Sequence, residues 1–460
     1  MTFDPFLAEH RFGYGRNSSI AQPQSVQEML DTLRGPDVAV EKYPFPPYRY
    51  LQDAHVLRRR FRQFGAKNDT TEEGKAATAK ARKIIRDLYK EHASWFQRHQ
   101  MRRITAQHGF RERLVAFWAD HFTVVGANAV LRLAVPAYVD EAIRPNVTGT
   151  FAQMLIDCVT HPVMLSYLDQ NVSTGPNSRL AKRSKRPRGL NENLAREVME
   201  LHTLGVDGPY NQNDVRELAK LFTGLSLTRD LGFKFRPVMS EPGAETLLGR
   251  TYGGKSGLAT VKAALTDLAL HPATARHIAT KIAVHFVSDA PPEGLIAHIQ
   301  DSYTHTDGNL MACYEALLEH DAAWALPSTN MRTPDEFISA SLRSLNVSET
   351  TLTGLNRQQT QQLFMAPLQK MGQKWYQAAG PDGFAEEDTA WVTPQGIAER
   401  MQWAMNTPAR LVDELPDPRE FVQTALGDAA PSTVVFAANA AATQAEGIGL
   451  ILASPAFQRR

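Results

Sequence analysis

Apolar residues recur along most of the chain with the period of an α-helix. Over residues 111–124, Leu114, Phe117, His121 and Val124 fall at i, i+3, i+7 and i+10, which at 3.6 residues per turn places them on one face. Ile84, Ile85, Leu88, Tyr89 and Phe96 draw a second stripe, and the stretches 259–270, 272–287, 335–345, 394–405 and 418–426 repeat the spacing. Several of these begin with proline or a small polar residue, as helix N-termini do. His161-Pro162 and His271-Pro272 stand at two such starts, where an imidazole can cap or pack. Strict alternation is nearly absent, and Phe233-Lys234-Phe235-Arg236-Pro237 is its best instance. The pattern predicts a mainly α, multi-helical globular protein with few short strands.

Three stretches read as loops. Residues 171–189 mix Ser, Gly and Pro with Arg179, Lys182, Arg183, Lys185, Arg186 and Arg188; 236–257 is rich in Gly and Pro; 378–388 carries the turn cluster Gly380-Pro381-Asp382-Gly383. A boundary near 326–334 divides the chain into a main helical domain over 1–330, holding the basic and Gly-rich loops, and a C-terminal helical lobe over 331–460 packed on it. Composition narrows the function classes. With 460 residues, 43% hydrophobic and 22% charged, wholesale disorder is excluded. Lys plus Arg (50) balances Asp plus Glu (49), so no global charge drives the chain onto nucleic acid. Cys158 and Cys313 alone make neither a disulfide framework nor a thiolate metal site. No apolar run approaches the roughly 20 residues of a membrane span. The start, Met1-Thr2-Phe3-Asp4-Pro5-Phe6, lacks a basic region followed by an apolar stretch, so a cytoplasmic location is expected.

The segment richest in chemistry is 191–205, Asn-Glu-Asn-Leu-Ala-Arg-Glu-Val-Met-Glu-Leu-His-Thr-Leu-Gly. As a regular helix it gathers Asn193, Glu197, Glu200 and Leu204 into one arc beside the apolar Leu194, Val198 and Leu201, with Gly205 as its stop. Two glutamates at i and i+3 repel unless Arg196, solvent, a metal or a raised pKa compensates them. One interpretation is a solvated acidic face paired with the basic loop before it. The other is a carboxylate cluster turned into a pocket for acid–base or metal chemistry. Asp120 and His121, in Phe117-Trp118-Ala119-Asp120-His121-Phe122, are the partner candidates, His121 on the apolar face. A site built of His121, Glu197 and Glu200 would suit an oxygen-loving divalent metal such as Mg²⁺ or Mn²⁺, or iron. A buried His on an apolar face also packs well with no ligand at all. His277, Lys281 and His285, at i, i+4 and i+8, are explained by a polar helix face.

Gly249-Arg-Thr-Tyr-Gly-Gly254-Lys255-Ser256 matches the phosphate-loop pattern G-x-x-x-x-G-K-[ST]. A working loop needs a buried strand before the first glycine, within alternating strands and helices. Here Glu241-Pro242-Gly243-Ala244-Glu245 precedes it, so nucleotide binding through Lys255 and Ser256 is the weakest of the functional interpretations. The basic run Arg58 to Arg62 offers charge for an anionic polymer, but a solvated segment explains it as well.

Taken together these segments resemble the domain-of-unknown-function 1800 family of bacterial proteins. The resemblance is carried by Arg11-Phe12-Gly13-Tyr14-Gly15, by 117–122, by 161–169, by the whole of 191–205 and by Asp214-Val215 through Leu221-Phe-Thr-Gly224. It continues through 271–276, Met371-Gly-Gln373, Pro381-Asp-Gly383 and 454–460. Many relatives carry a His-Asp pair where this chain has Glu241-Pro242-Gly243. The resemblance implies a mainly helical fold and supplies no reaction. It also implies a partner, because relatives are encoded beside a second exported family resembling sulfatases and alkaline phosphatases, and with it an alternative periplasmic location through co-export. Two functions from different classes remain. One is an enzyme or metal-binding protein whose pocket is lined by Asn193, Arg196, Glu197, Glu200, Asp120 and His121. The other is a non-catalytic partner or assembly protein in which the same charges fix helix packing.

Overall fold

The computed structural model describes residues 3–183, 189–253 and 257–460. Helices dominate, as the periodicity predicts. Among the described residues, strands are confined to two antiparallel hairpins, Leu225–Leu227 with Phe233–Phe235 and Ala244–Leu247 with Arg250–Gly253. The second lies inside the stretch 236–257 expected to be all loop. Its turn is Leu248-Gly249, both at positive φ (49° and 78°), with Leu247 paired to Arg250; a two-residue turn of this kind matches the twist of the flanking strands. The described part of the phosphate-loop pattern is therefore a hairpin turn and an antiparallel strand. Lys255 and Ser256, like Lys185, Arg186 and Arg188, lie outside the described residues.

Local chemistry sets the helix starts. Asn211 and Thr333 each open a helix with a reciprocal capping box, to Asp214 and Glu336. His161 and His271, each before proline, accept the second amide of the helix at Nδ1 (3.2 and 3.1 Å), so both imidazoles act as neutral caps. The core is one continuous cluster in which Phe12, Phe110, Phe117, Phe286 and Tyr314 pack ring against ring. The Trp118 indole N–H within it donates to the Tyr314 hydroxyl (2.7 Å), which satisfies both buried polar atoms.

Charge is buried along with the apolar core. Arg144 grips Glu112 with both terminal nitrogens (2.7 and 2.8 Å), and Arg102 grips Asp140 in the same way. The boundary expected near residue 330 is bridged by such pairs. Arg343 reaches Glu9 (3.1 Å) and the carbonyls of Ile104 and Ala106, Arg103 reaches Asp335 (2.6 Å), and Arg113 meets Glu336. No helix among the described residues is long and apolar enough to cross a membrane.

Candidate functional site

The predicted helix over 111–124 forms as Phe110–His121 and delivers its last two residues to different places. Asp120 lines a partly open cavity of about 90 Å³, room for several water molecules. His121 turns the other way, its Nε2 donating to the carbonyl of His202 (3.2 Å). His277 does the same for Leu201 (3.1 Å). Both imidazoles thus satisfy carbonyls left open where the 191–205 segment ends. Burial holds His121 well below its ordinary pKa, helped by the Lys281 charge; burial and Lys281 hold His277 at about 4. Both are therefore neutral at physiological pH.

The acidic segment is not one regular helix. Asn193–Glu197 is α-helical and Val198–His202 widens into a π turn, so the arc drawn at 100° per residue is broken. Asn193 is exposed and Leu204 buried, and Gly205 stops the turn at φ +87°. Arg196 lies between Glu192 (3.4 Å) and Glu200 (3.3 Å) and reaches Gln212 (3.0 Å), which ties the segment to the Gln212–Phe222 helix. Glu197 is partly buried; desolvation and the charges of Glu200 and Asp382 raise its pKa. Glu197 and Glu200 do not line the Asp120 cavity. Among the described residues no group of three or more His, Cys, Asp or Glu side chains is arranged to hold a metal ion, so the Glu197, Glu200 and His121 set is not assembled as a metal centre.

What faces Asp120 comes from distant segments. The turn 380–383 closes on it: Phe384 donates its amide to Asp120 Oδ1 (3.0 Å). Gly383, at φ +86°, lies so close that a Cβ would stand 2.6 Å from Oδ2, leaving no room for any other residue. Burial, reinforced by the negative charges of Glu386 and Asp382, pushes the Asp120 carboxyl up to about 7 against the opposing pull of the Phe384 amide and Lys281. Glu386, which lines the same cavity, behaves oppositely. Burial favours its neutral form, yet His285, Arg460 and Lys281 hold it at about 2.

His285 is fixed between two partners. Its Nδ1 lies 2.9 Å from Glu386 and its Nε2 3.0 Å from an Arg113 nitrogen. A guanidinium can only donate, so Nε2 accepts and Nδ1 carries the proton toward Glu386. The ring is neutral, its pKa lowered to about 4 mainly by burial. Arg103 and Asp335 also line the cavity, the latter bound as well by His99 (3.0 Å) and Gln100 (2.9 Å). Arg103 and these hydrogen bonds keep Asp335 far below the usual carboxylate range despite its burial. Trp375, Tyr376 and Phe384 supply aromatic surface.

Of the candidate site residues, the structure brings Asp120 alone into the cavity. Arg196, Glu197 and Glu200 stand together on the neighbouring turn, His121 caps its end, and Asn193 faces solvent. The residues missed are Glu386, His285, Arg103 and Asp335. One signal for them was visible: the i, i+4, i+8 spacing of His277, Lys281 and His285, read as a polar face, leaves the first two partly exposed and buries His285.

Fold and cavity together define a mainly helical protein with a partly open, carboxylate-bearing pocket. The chain belongs to the family described as Protein of unknown function (DUF1800), whose model matches residues 8–459. No curated protein and no solved structure matches it.

Proposed function

We propose that the cavity is a site of general acid–base chemistry in which Asp120 carries the proton and Glu386 is the fixed anion. The supporting observation is a pair of carboxylates lining one cavity whose surroundings drive them apart, one to about 7 and the other to about 2. Such divergence separates the acid from the base in carboxylate enzymes. Asp120, near half-protonated at neutral pH, gives a proton to a leaving group or takes one from water. Glu386, oriented by His285, stays ionised and favours positive charge at the reacting centre. Glu197 and Asp120 share Asp382 as a charged neighbour, so the acidic turn adds to the negative field there.

The test is a screen of the purified protein on chromogenic esters, glycosides, phosphate esters and sulfate esters. Any hydrolysis found should fall about 100-fold or more in Asp120→Asn and Glu386→Gln and persist in Arg196→Gln. Activity indifferent to the first two variants would refute the assignment. A structural reading of the Arg196 cluster has its own support, because that guanidinium bridges two helical segments. In a non-catalytic partner protein, Arg196→Gln would weaken co-purification with a neighbouring exported protein while Asp120→Asn would leave it intact.

A further inference from the structure

The helices Tyr48–Lys67 and Glu72–Thr105 run antiparallel, and their far halves stand clear of the core. From residue 53 to 87 only Gly65, Gly74, Ala77 and Ala81 are buried. These small residues let the two backbones close on each other; a Cβ on Gly65 would collide with Thr78 and with the Gly74 carbonyl. The same stretch holds ten Lys and Arg against five Asp and Glu, a net +5, so the rest of a chain of net +1 sums to −4. Among the described residues only Lys75 and Lys83 of those ten have a carboxylate at ion-pair distance (2.8 and 2.7 Å).

Arg58, Arg62 and Arg82, all unpaired, line one groove between the helices, about 460 Å³ in volume, with the Thr78 hydroxyl beside them. It runs into a second hollow of about 700 Å³ that adds His55 and Arg59, and the His55 Nδ1 is buried there without a hydrogen-bond partner. Arg58 and Arg62, four residues apart on one helix, repel. Such a pair destabilises a helix until an anion neutralises it. Guanidinium groups present paired donors that match phosphate oxygens two at a time.

We propose that this groove binds the phosphate groups of an anionic ligand, with Arg58, Arg62 and Arg82 as the clamp. The ligand is either a soluble oligophosphate or the headgroups of an anionic phospholipid, and both present the same oxygens.

Calorimetric titration with sodium tripolyphosphate tests the first source. Flotation with phosphatidylcholine vesicles, with and without phosphatidylglycerol, tests the second. Binding in either arm should weaken about tenfold for each guanidinium removed in Arg58→Gln and Arg62→Gln. It should survive Arg86→Gln, which removes equal charge outside the groove. Binding to tripolyphosphate alone marks a soluble ligand; binding only to phosphatidylglycerol vesicles marks a lipid one. Without ligand, Arg62→Gln should keep or raise the melting temperature, because it relieves repulsion, so lost binding cannot be lost folding. The proposal is overturned if neither probe binds the full-length protein, or if Arg86→Gln loses as much affinity as the groove variants.

Discussion

Replacing Asp120 with Asn holds that side chain in a shape close to its neutral acid, still able to accept the Phe384 amide at one oxygen. In an unfolded chain an aspartate titrates near 3.9; in the folded protein Asp120 titrates at about 7. Between these values the folded state holds a proton that the unfolded state has released, so folding stability falls as pH rises from about 4 to about 7. A shift of about three units corresponds to at most about 4 kcal/mol at 1.36 kcal/mol each. Asp120 keeps some contact with solvent, which brings the expectation to about 2–4 kcal/mol. The variant has no such proton to lose. Denaturant unfolding of wild type and Asp120→Asn at pH 4.5 and pH 8 should therefore show the variant gaining about 2–4 kcal/mol on wild type between the two. Titrations common to both proteins cancel in that difference. A difference constant to within about 0.5 kcal/mol would mean that Asp120 titrates normally, and the acid–base assignment would fall.

Glu386→Gln should destabilise the protein at pH 7 by about 2–3 kcal/mol, because the cations around it lose their fixed charge. The carboxyl titrates lower folded than unfolded, so the penalty should persist above pH 4.3 and fade as pH drops toward 2, which acid unfolding curves would show. Gly383→Ala places a methyl against Asp120 at a positive φ; about 1–3 kcal/mol of stability should be lost, and the pH-dependent difference described above should shrink with it. Arg343→Lys, which cannot reach Gly15, Ile104, Ala106 and Glu9 at once, should cost about 3–5 kcal/mol in chemical denaturation.

The helical framework was legible because it is written in near neighbours: the stripe through Leu114, Phe117 and His121, the proline starts at 162 and 272, and the glycine stop at 205. The Leu248-Gly249 hairpin escaped because strands of four residues show too little alternation to stand out. The site was legible only where its residues are local. Asp120 could be named, but its pocket depends on Glu386 and Phe384 more than 260 positions away, and no spacing rule reaches that far. His285 shows the limit of counting along a helix, since i, i+4, i+8 gives a face without saying whether that face meets water or a carboxylate. The π turn at Val198–His202 rotates Glu200 and Leu204 out of the arc that a regular helix assigns them, for a reason no local pattern carries.

The pairing of Arg103 with Asp335 across 232 positions has a bearing on how the chain is made. At about 5–20 residues per second, the ribosome delivers the acid roughly 10–50 seconds after the base. For that interval Arg103 emerges without the carboxylate that will neutralise it. The amino-terminal helices must then wait, loosely assembled and open to holding chaperones, until the last third arrives to lock them. Slowing translation ahead of residue 333 should lengthen that wait and increase protease cutting of the nascent amino-terminal part.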